Sequence, residues 1–222
     1  MTNLSCDTPD TWIKTLQQGA AELGISLNAG QLDIMSFHGK ELILWNKKFN
    51  ITSITDPFEI AVKHFIDCLA VASYIPDNAN VLDIGSGGGF PGFPLKVVNP
   101  LIDLVMIDAS RKKISFLNHL IHSLKMTGVH AVHARCEDLA DRKGFKHSFD
   151  CVVSRAFTSL DRFIDLSLPF LSEKGVILAM KGQMSEQEIQ SAQGKKLCIK
   201  IDEYTLPVGG YHRAIIKISS SV

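Results

Sequence analysis

Residues 81 to 92 read Val81-Leu82-Asp83-Ile84-Gly85-Ser86-Gly87-Gly88-Gly89-Phe90-Pro91-Gly92. The first four form a short apolar run with one carboxylate, the pattern of a buried strand. Gly85, Gly87, Gly88 and Gly89 follow as a loop able to take left-handed backbone angles and to let a ligand approach the main chain. Phe90, Pro91 and Gly92 lead into a helix. Strand, glycine loop and helix make up the nucleoside-cradling unit of an open α/β sheet, whose ligands sit at the carboxyl ends of the strands.

The spacing Gly87-x-Gly89-x-x-Gly92 also fits the dinucleotide fingerprint. Two neighbours argue against a pyrophosphate. Asp83 presents a like charge, and Pro91 removes a backbone N–H that an anion would need. S-adenosylmethionine has no phosphate; its ammonium and sulfonium both suit a nearby carboxylate. That cofactor is preferred over NAD, and over a ligand-free turn.

Working outward, the chain alternates strand and helix from Asn80 on. Strands are expected at 81–84, 103–107, 129–134, 149–154, 175–180, 197–204 and 213–218. Helices are expected at 91–98, 110–127 with Gly128 as the stop, near 137–142, at 159–171 and at 185–192. Such alternation gives a doubly wound, mostly parallel seven-stranded sheet. The last two strands are joined by a short Pro/Gly connection, which requires an antiparallel C-terminal hairpin. This α/β architecture is class I methyltransferase-like. Residues 1–75 read as an N-terminal helical extension and 76–222 as the cofactor-binding domain. Apolar residues recur at helical spacing over 11–24, Asn28 caps a second helix, and Asp56-Pro57-Phe58-Glu59 opens a third running to about Tyr74.

Composition bounds the rest. The 222 residues are 45% apolar and carry zero net charge, so any RNA contact must come from local patches. The five cysteines are odd in number and have no C-x-x-C spacing, which suits reduced thiols. Neither a membrane span nor a signal peptide is visible, so a soluble, cytoplasmic protein is expected. His119 with His122, and His130 with His133, lack the companions of a metal site, so no metal is expected.

Several side chains stand out as chemistry-bearing. Asp108 ends the second strand 21 residues after Gly87, placed to accept from ribose hydroxyls or to cap the next helix. Glu137 follows the third strand, within reach of an adenine, and Phe90 can pack on the cofactor or in the core. Arg155 leaves an apolar strand and calls for an anionic partner: the cofactor carboxylate, a substrate phosphate or Asp83. Arg111, Lys112 and Lys113 begin a helix, where the dipole disfavours cations. With Lys47, Lys48, Lys181 and Arg213 they suit phosphate contacts.

Together these motifs resemble one family, the glucose-inhibited division protein B family of bacterial 16S rRNA methyltransferases. The resembling positions are Leu44-Trp45-Asn46-Lys47-x-x-Asn50-x-Thr52, His64-x-x-Asp67, the 83–92 loop, and Asp108 with Lys112-Lys113-x-x-Phe116-Leu117. Arg135-x-Glu137, Ser154-Arg155-Ala156, Lys181-Gly182 and His212-Arg213 complete the set. The resemblance implies transfer of a methyl group to guanine N7 in the 530 loop of small-subunit rRNA. It also implies a cofactor site at Gly85, Phe90, Cys136, Glu137 and Arg155, with His64 and Asp67 facing its edge. Ala109 stands where related sequences often have Ser. The alternatives are a class I methyltransferase acting on a small molecule or protein, an NAD-dependent oxidoreductase, and a non-catalytic RNA-binding module.

Overall fold

The computed structural model describes residues 9–155, 159–182 and 197–220. Its core is a seven-stranded sheet of β1 (Asn80–Ile84), β2 (Asp103–Asp108), β3 (Val129–His133), β4 (Phe149–Ser154), β5 (Leu171–Lys181), β6 (Leu197–Thr205) and β7 (His212–Ser220). The strand order is β3-β2-β1-β4-β5-β7-β6. β1 to β5 pair in parallel, while β7 runs antiparallel to both β5 and β6. The chain winds outward from β1 in one direction and from β4 in the other. The switch point therefore lies between β1 and β4, where open α/β sheets leave a crevice at the carboxyl edge. The ends of these two strands carry the glycine loop and Arg155.

The helices are α1 (Pro9–Glu22), α2 (Ala29–Phe49), α3 (Pro57–Ile60), α4 (Asp67–Leu69), α5 (Gly92–Val98), α6 (Arg111–Ser123) and α7 (Leu160–Ser167). Asn28 caps α2 with a full capping box involving Gln31, and Asp56 caps α3 by accepting from the Glu59 N–H at 2.8 Å. One face of the sheet and the N-terminal helices share a continuous apolar core: Trp12, Leu16, Met35, Leu42 and Phe65 pack with Val81, Phe93, Leu104, Met106 and Phe116. Phe163, Ile164 and Phe170 cover the other face.

Four expectations change. The helix expected from Asp56 to Tyr74 is broken: α3 passes into a π-helical turn over Ala61–Ile66, then α4, then a 3₁₀ turn over Ala72–Tyr74. The helix expected over 110–127 ends at Ser123, because Lys125 takes a left-handed backbone ahead of Gly128. α7 also stops early, at Ser167, and passes into a 3₁₀ turn over Leu168–Phe170. β5 then begins at Leu171, with a register irregularity against Phe149 and Cys151. The helix expected over 185–192 lies outside the described residues. Among those described, no helix is long and apolar enough to cross a membrane, and no three His, Cys, Asp or Glu side chains gather as a metal site.

Candidate active site

At the switch point two clefts adjoin, with Gly85 in the lining of both. The larger has a volume of about 510 Å³ and is lined by Thr52, Lys63, His64, Asp67, Gly85, Gly87, Phe90, Lys113, Arg155, Lys181 and Arg213, among others. The smaller, about 290 Å³, lies against Gly85, Asp108, Arg135, Cys136, Glu137 and Arg162. Gly85 has φ +71°, and a Cβ built there would meet nothing within 4 Å. The packing of the described residues leaves that space open, so a side chain at 85 would intrude on the clefts.

Gly92 is a glycine for a different reason. A Cβ there would lie 2.8 Å from Asp83 Oδ2, the oxygen that accepts the Gly92 N–H at 2.9 Å. Asp83 is fully buried and thus clips the start of α5 onto β1. The helix end that would receive a pyrophosphate already holds a protein carboxylate. This also corrects the expectation that Asp83 meets the cofactor's ammonium: its carboxyl faces the helix start and lines neither cleft.

Asp108 organises the loop from the next strand. Its Oδ2 accepts the Gly87 N–H at 3.0 Å and its Oδ1 accepts the Ser110 N–H at 2.7 Å. Lys113 Nζ stands 3.9 Å from Oδ2. The carboxylate lines the smaller cleft beside Cys136 and Glu137. Cys136 is buried, its thiol pointing at the Leu166 carbonyl and pushed up to about 12 by burial first and the Glu137 charge second. Glu137 is exposed and pairs with Arg162 at 3.4 Å.

Arg155 leaves β4 next to Ser154, whose hydroxyl donates to the Ile84 carbonyl at 2.8 Å and ties the ends of β4 and β1 together. The guanidinium does not reach Asp83. It donates from Nη1 to the Lys63 carbonyl and from Nη2 to His64 Nδ1, both at 2.7 Å, and lies 5.1 Å from the Phe90 ring centre. Among the described residues it forms no ion pair. The π-helical turn presents both acceptors: the extra residue in that turn displaces the ordinary i→i−4 ladder, as π-bulges at functional sites do.

His64 is stacked on Phe90 with ring centres 4.5 Å apart, and its imidazole is lowered to about 3 by burial, then by the Arg155 charge, then by His38. It is therefore neutral. Phe90 also stacks on His38 at 4.7 Å and is only 4% exposed, so its ring is mainly a packing element behind the cleft. Asp67 accepts from Tyr204 Oη at 3.1 Å and pairs with Arg213 at 3.4 Å, joining the irregular helix to the C-terminal hairpin.

The basic helix start divides. Lys113 lines the larger cleft, whereas Arg111 and Lys112 are exposed outside it, Lys112 lying over the Phe49 ring at 5.9 Å. Lys181 lines the larger cleft from the end of β5. Sequence reasoning assigned no role to Lys63 or His38, and left Thr52 as a motif position only.

A parallel sheet with a glycine loop after β1, an acid ending β2 and an antiparallel last strand defines a class I S-adenosylmethionine-dependent methyltransferase. Solved structures share this fold: a SAM-dependent methyltransferase from Aquifex aeolicus has TM-score 0.59 at 12% identity, over 76% of this chain and 96% of that one. Fibrillarin from Aeropyrum pernix, solved with natively bound S-adenosyl-L-methionine, has TM-score 0.51 at 14% identity, over 64% and 66%. Residues 31–216 match the family described as rRNA small subunit methyltransferase G (GidB), and the chain belongs to that family. Its curated relatives of that name include one from Geobacter sulfurreducens, 39% identical over 92% of this chain and 96% of the relative. Another, from Oceanobacillus iheyensis, is 36% identical over 95% and 90%.

Proposed function

We propose that this protein transfers the methyl group of S-adenosylmethionine to N7 of a guanine in the 530 loop of 16S rRNA, within the small ribosomal subunit or its assembly intermediate. The observation that carries this reading is the pair of clefts meeting at Gly85, one with a ribose-suited carboxylate and the other ringed by cations. The open space over Gly85 is the fit expected of a cofactor cradle. Asp108 would hold the ribose, Cys136 and Glu137 the adenine edge, and the larger cleft would take the methionyl end together with the target base.

When bound, the cofactor supplies an electrophilic methyl carbon on a sulfonium, whose C–S bonding pair returns to sulfur as the new N7–C bond forms. Guanine N7 already offers an in-plane lone pair, so no proton must leave before attack. The cleft matches that requirement. His64 and Asp67, the imidazole and the carboxylate of its described lining, are both engaged in internal contacts. Catalysis then rests on positioning and fixed electrostatics. Lys63, Lys113, Lys181 and Arg213 would grip phosphates locally, since the whole-protein charge is zero.

The deciding experiment incubates the protein and labelled S-adenosylmethionine with unmodified small subunits, deproteinised rRNA and a protein extract. Label recovered as 7-methylguanosine from rRNA supports the reading. Label in protein or in small molecules alone would overturn it. Within this reading, Asp108→Asn is expected to weaken cofactor binding by about 10- to 100-fold, because a charged acceptor is lost. Calorimetric titration of the folded variant checks this, and an unchanged affinity would remove Asp108 from the ribose site.

A further inference from the structure

Thr52 is held more tightly than a loop threonine requires. Asn50 ends α2 in a left-handed conformation, its N–H reaching the Asn46 carbonyl. The Asn46 side chain then accepts the Thr52 N–H at 2.9 Å. The spacing Asn46, Asn50, Thr52 is thus a helix stop that delivers one residue to the rim of the larger cleft.

The hydrogen bonds around its hydroxyl fix a direction. A guanidinium only donates, so His64 Nδ1 must accept from Arg155. The proton of the neutral ring therefore sits on Nε2, which donates to Thr52 Oγ1 at 2.9 Å. The Ile54 N–H donates to the same oxygen at 3.1 Å. Both lone pairs of Oγ1 are then occupied. The hydroxyl is left as a donor only, with no acceptor assigned to it among the described residues, in a side chain that lines the cleft.

A donor-only group distinguishes the two purines. On the edge that bears N7, guanine presents the acceptor O6, whereas adenine presents an amino donor. We propose that the Thr52 hydroxyl, polarised through Arg155 and His64, donates to O6 of the target base and so selects guanine while setting N7 in line with the methyl group. The cofactor carboxylate is the competing acceptor, but five cationic side chains line the same cleft and serve a carboxylate better than one neutral hydroxyl does. This assignment rests on the guanine-N7 reading above.

The test uses small subunits reconstituted with ligated rRNA carrying guanine or 2-aminopurine at the methylated position. 2-Aminopurine keeps N7 and the 2-amino group and lacks O6. Wild type should favour guanine by about 10-fold or more in kcat/KM, the discrimination of a good base-edge contact. Thr52→Val should fall to a similar low rate on both bases, Thr52→Ser should restore the preference, and cofactor affinity should stay within about twofold throughout. Equal wild-type rates on the two bases would overturn the assignment. So would a Thr52→Val loss of the same size on both bases, or one explained by weaker cofactor binding. Label on an atom other than N7 in the wild type would instead sink the functional reading itself.

Discussion

Arg155→Ala is expected to lower kcat/KM for rRNA methylation by at least about 100-fold. Two charge-assisted hydrogen bonds end at Lys63 O and His64 Nδ1, each worth about 1.5–3 kcal/mol, and removing the donor takes a partner from a buried ring nitrogen and from a carbonyl of the π-helical turn. The loss reaches further than the contacts themselves. Without the guanidinium nothing holds the proton of His64 on Nε2, the Thr52 hydroxyl loses its fixed direction, and the π-helical turn loses its anchor to the end of β4. Arg155→Lys should recover only a small part of the activity. An ammonium is a point charge and cannot span two acceptors with the geometry of a planar fork. A second readout is independent of activity. His64 is lowered first by burial and next by Arg155, so its titration, followed by NMR on the imidazole protons, should move upward in the alanine variant. Activity within threefold of wild type, with no movement of the His64 titration, would show that Arg155 is dispensable to the site.

The contrast between Arg155 and Asp83 shows what the chain discloses by itself. The alternation of apolar runs with amphipathic segments, and a final connection too short for a crossover, are local patterns. The sheet order β3-β2-β1-β4-β5-β7-β6 follows the winding they imply. The glycine loop and Asp108 are equally legible, because the strand ends bring them together at a distance set by one β/α unit. Partners across the sheet are another matter. A carboxylate in an apolar strand looks the same whether it faces a ligand or the first turn of the following helix, and only packing shows that Gly92 is the partner of Asp83. Likewise, the π-helical turn over Ala61–Ile66 inserts one residue into an ordinary apolar periodicity and leaves almost no trace in composition. The role of Thr52 depends on a tautomer fixed by Arg155, 91 residues from His64. No spacing rule encodes that.

Asp83→Asn is expected to stabilise the cofactor-free protein at alkaline pH relative to the parent. Burial pushes the Asp83 carboxyl up to about 7, more than the Gly92 N–H, the Arg155 charge and the Ser86 hydroxyl pull it down. One of its oxygens is buried with no partner among the described residues, an arrangement that suits a protonated acid better than an ion. The unfolded chain releases this proton near the ordinary aspartate value of about 3.9. Between that value and about 7 the native state holds a proton that the unfolded state has lost. Stability therefore falls as pH rises through this window, by up to about 1.4 kcal/mol per pH unit, and levels off above it. Asparagine keeps the shape of the protonated acid, can offer its oxygen to Gly92, and does not titrate. The variant should gain about 2 to 3 kcal/mol on the parent between pH 5 and pH 8, read from urea unfolding at the two pH values. Asp83→Leu should be destabilised at both, because the Gly92 N–H then loses its acceptor in a dry environment. If the stability of the parent minus that of the Asp83→Asn variant is flat or rises with pH, Asp83 is ionised in the folded protein, and a buried anion beside the glycine loop would then need a cation to answer it. That outcome would return Asp83 to the cofactor's positive end. The expected one keeps it as the clip between β1 and α5 on which the position of the loop depends.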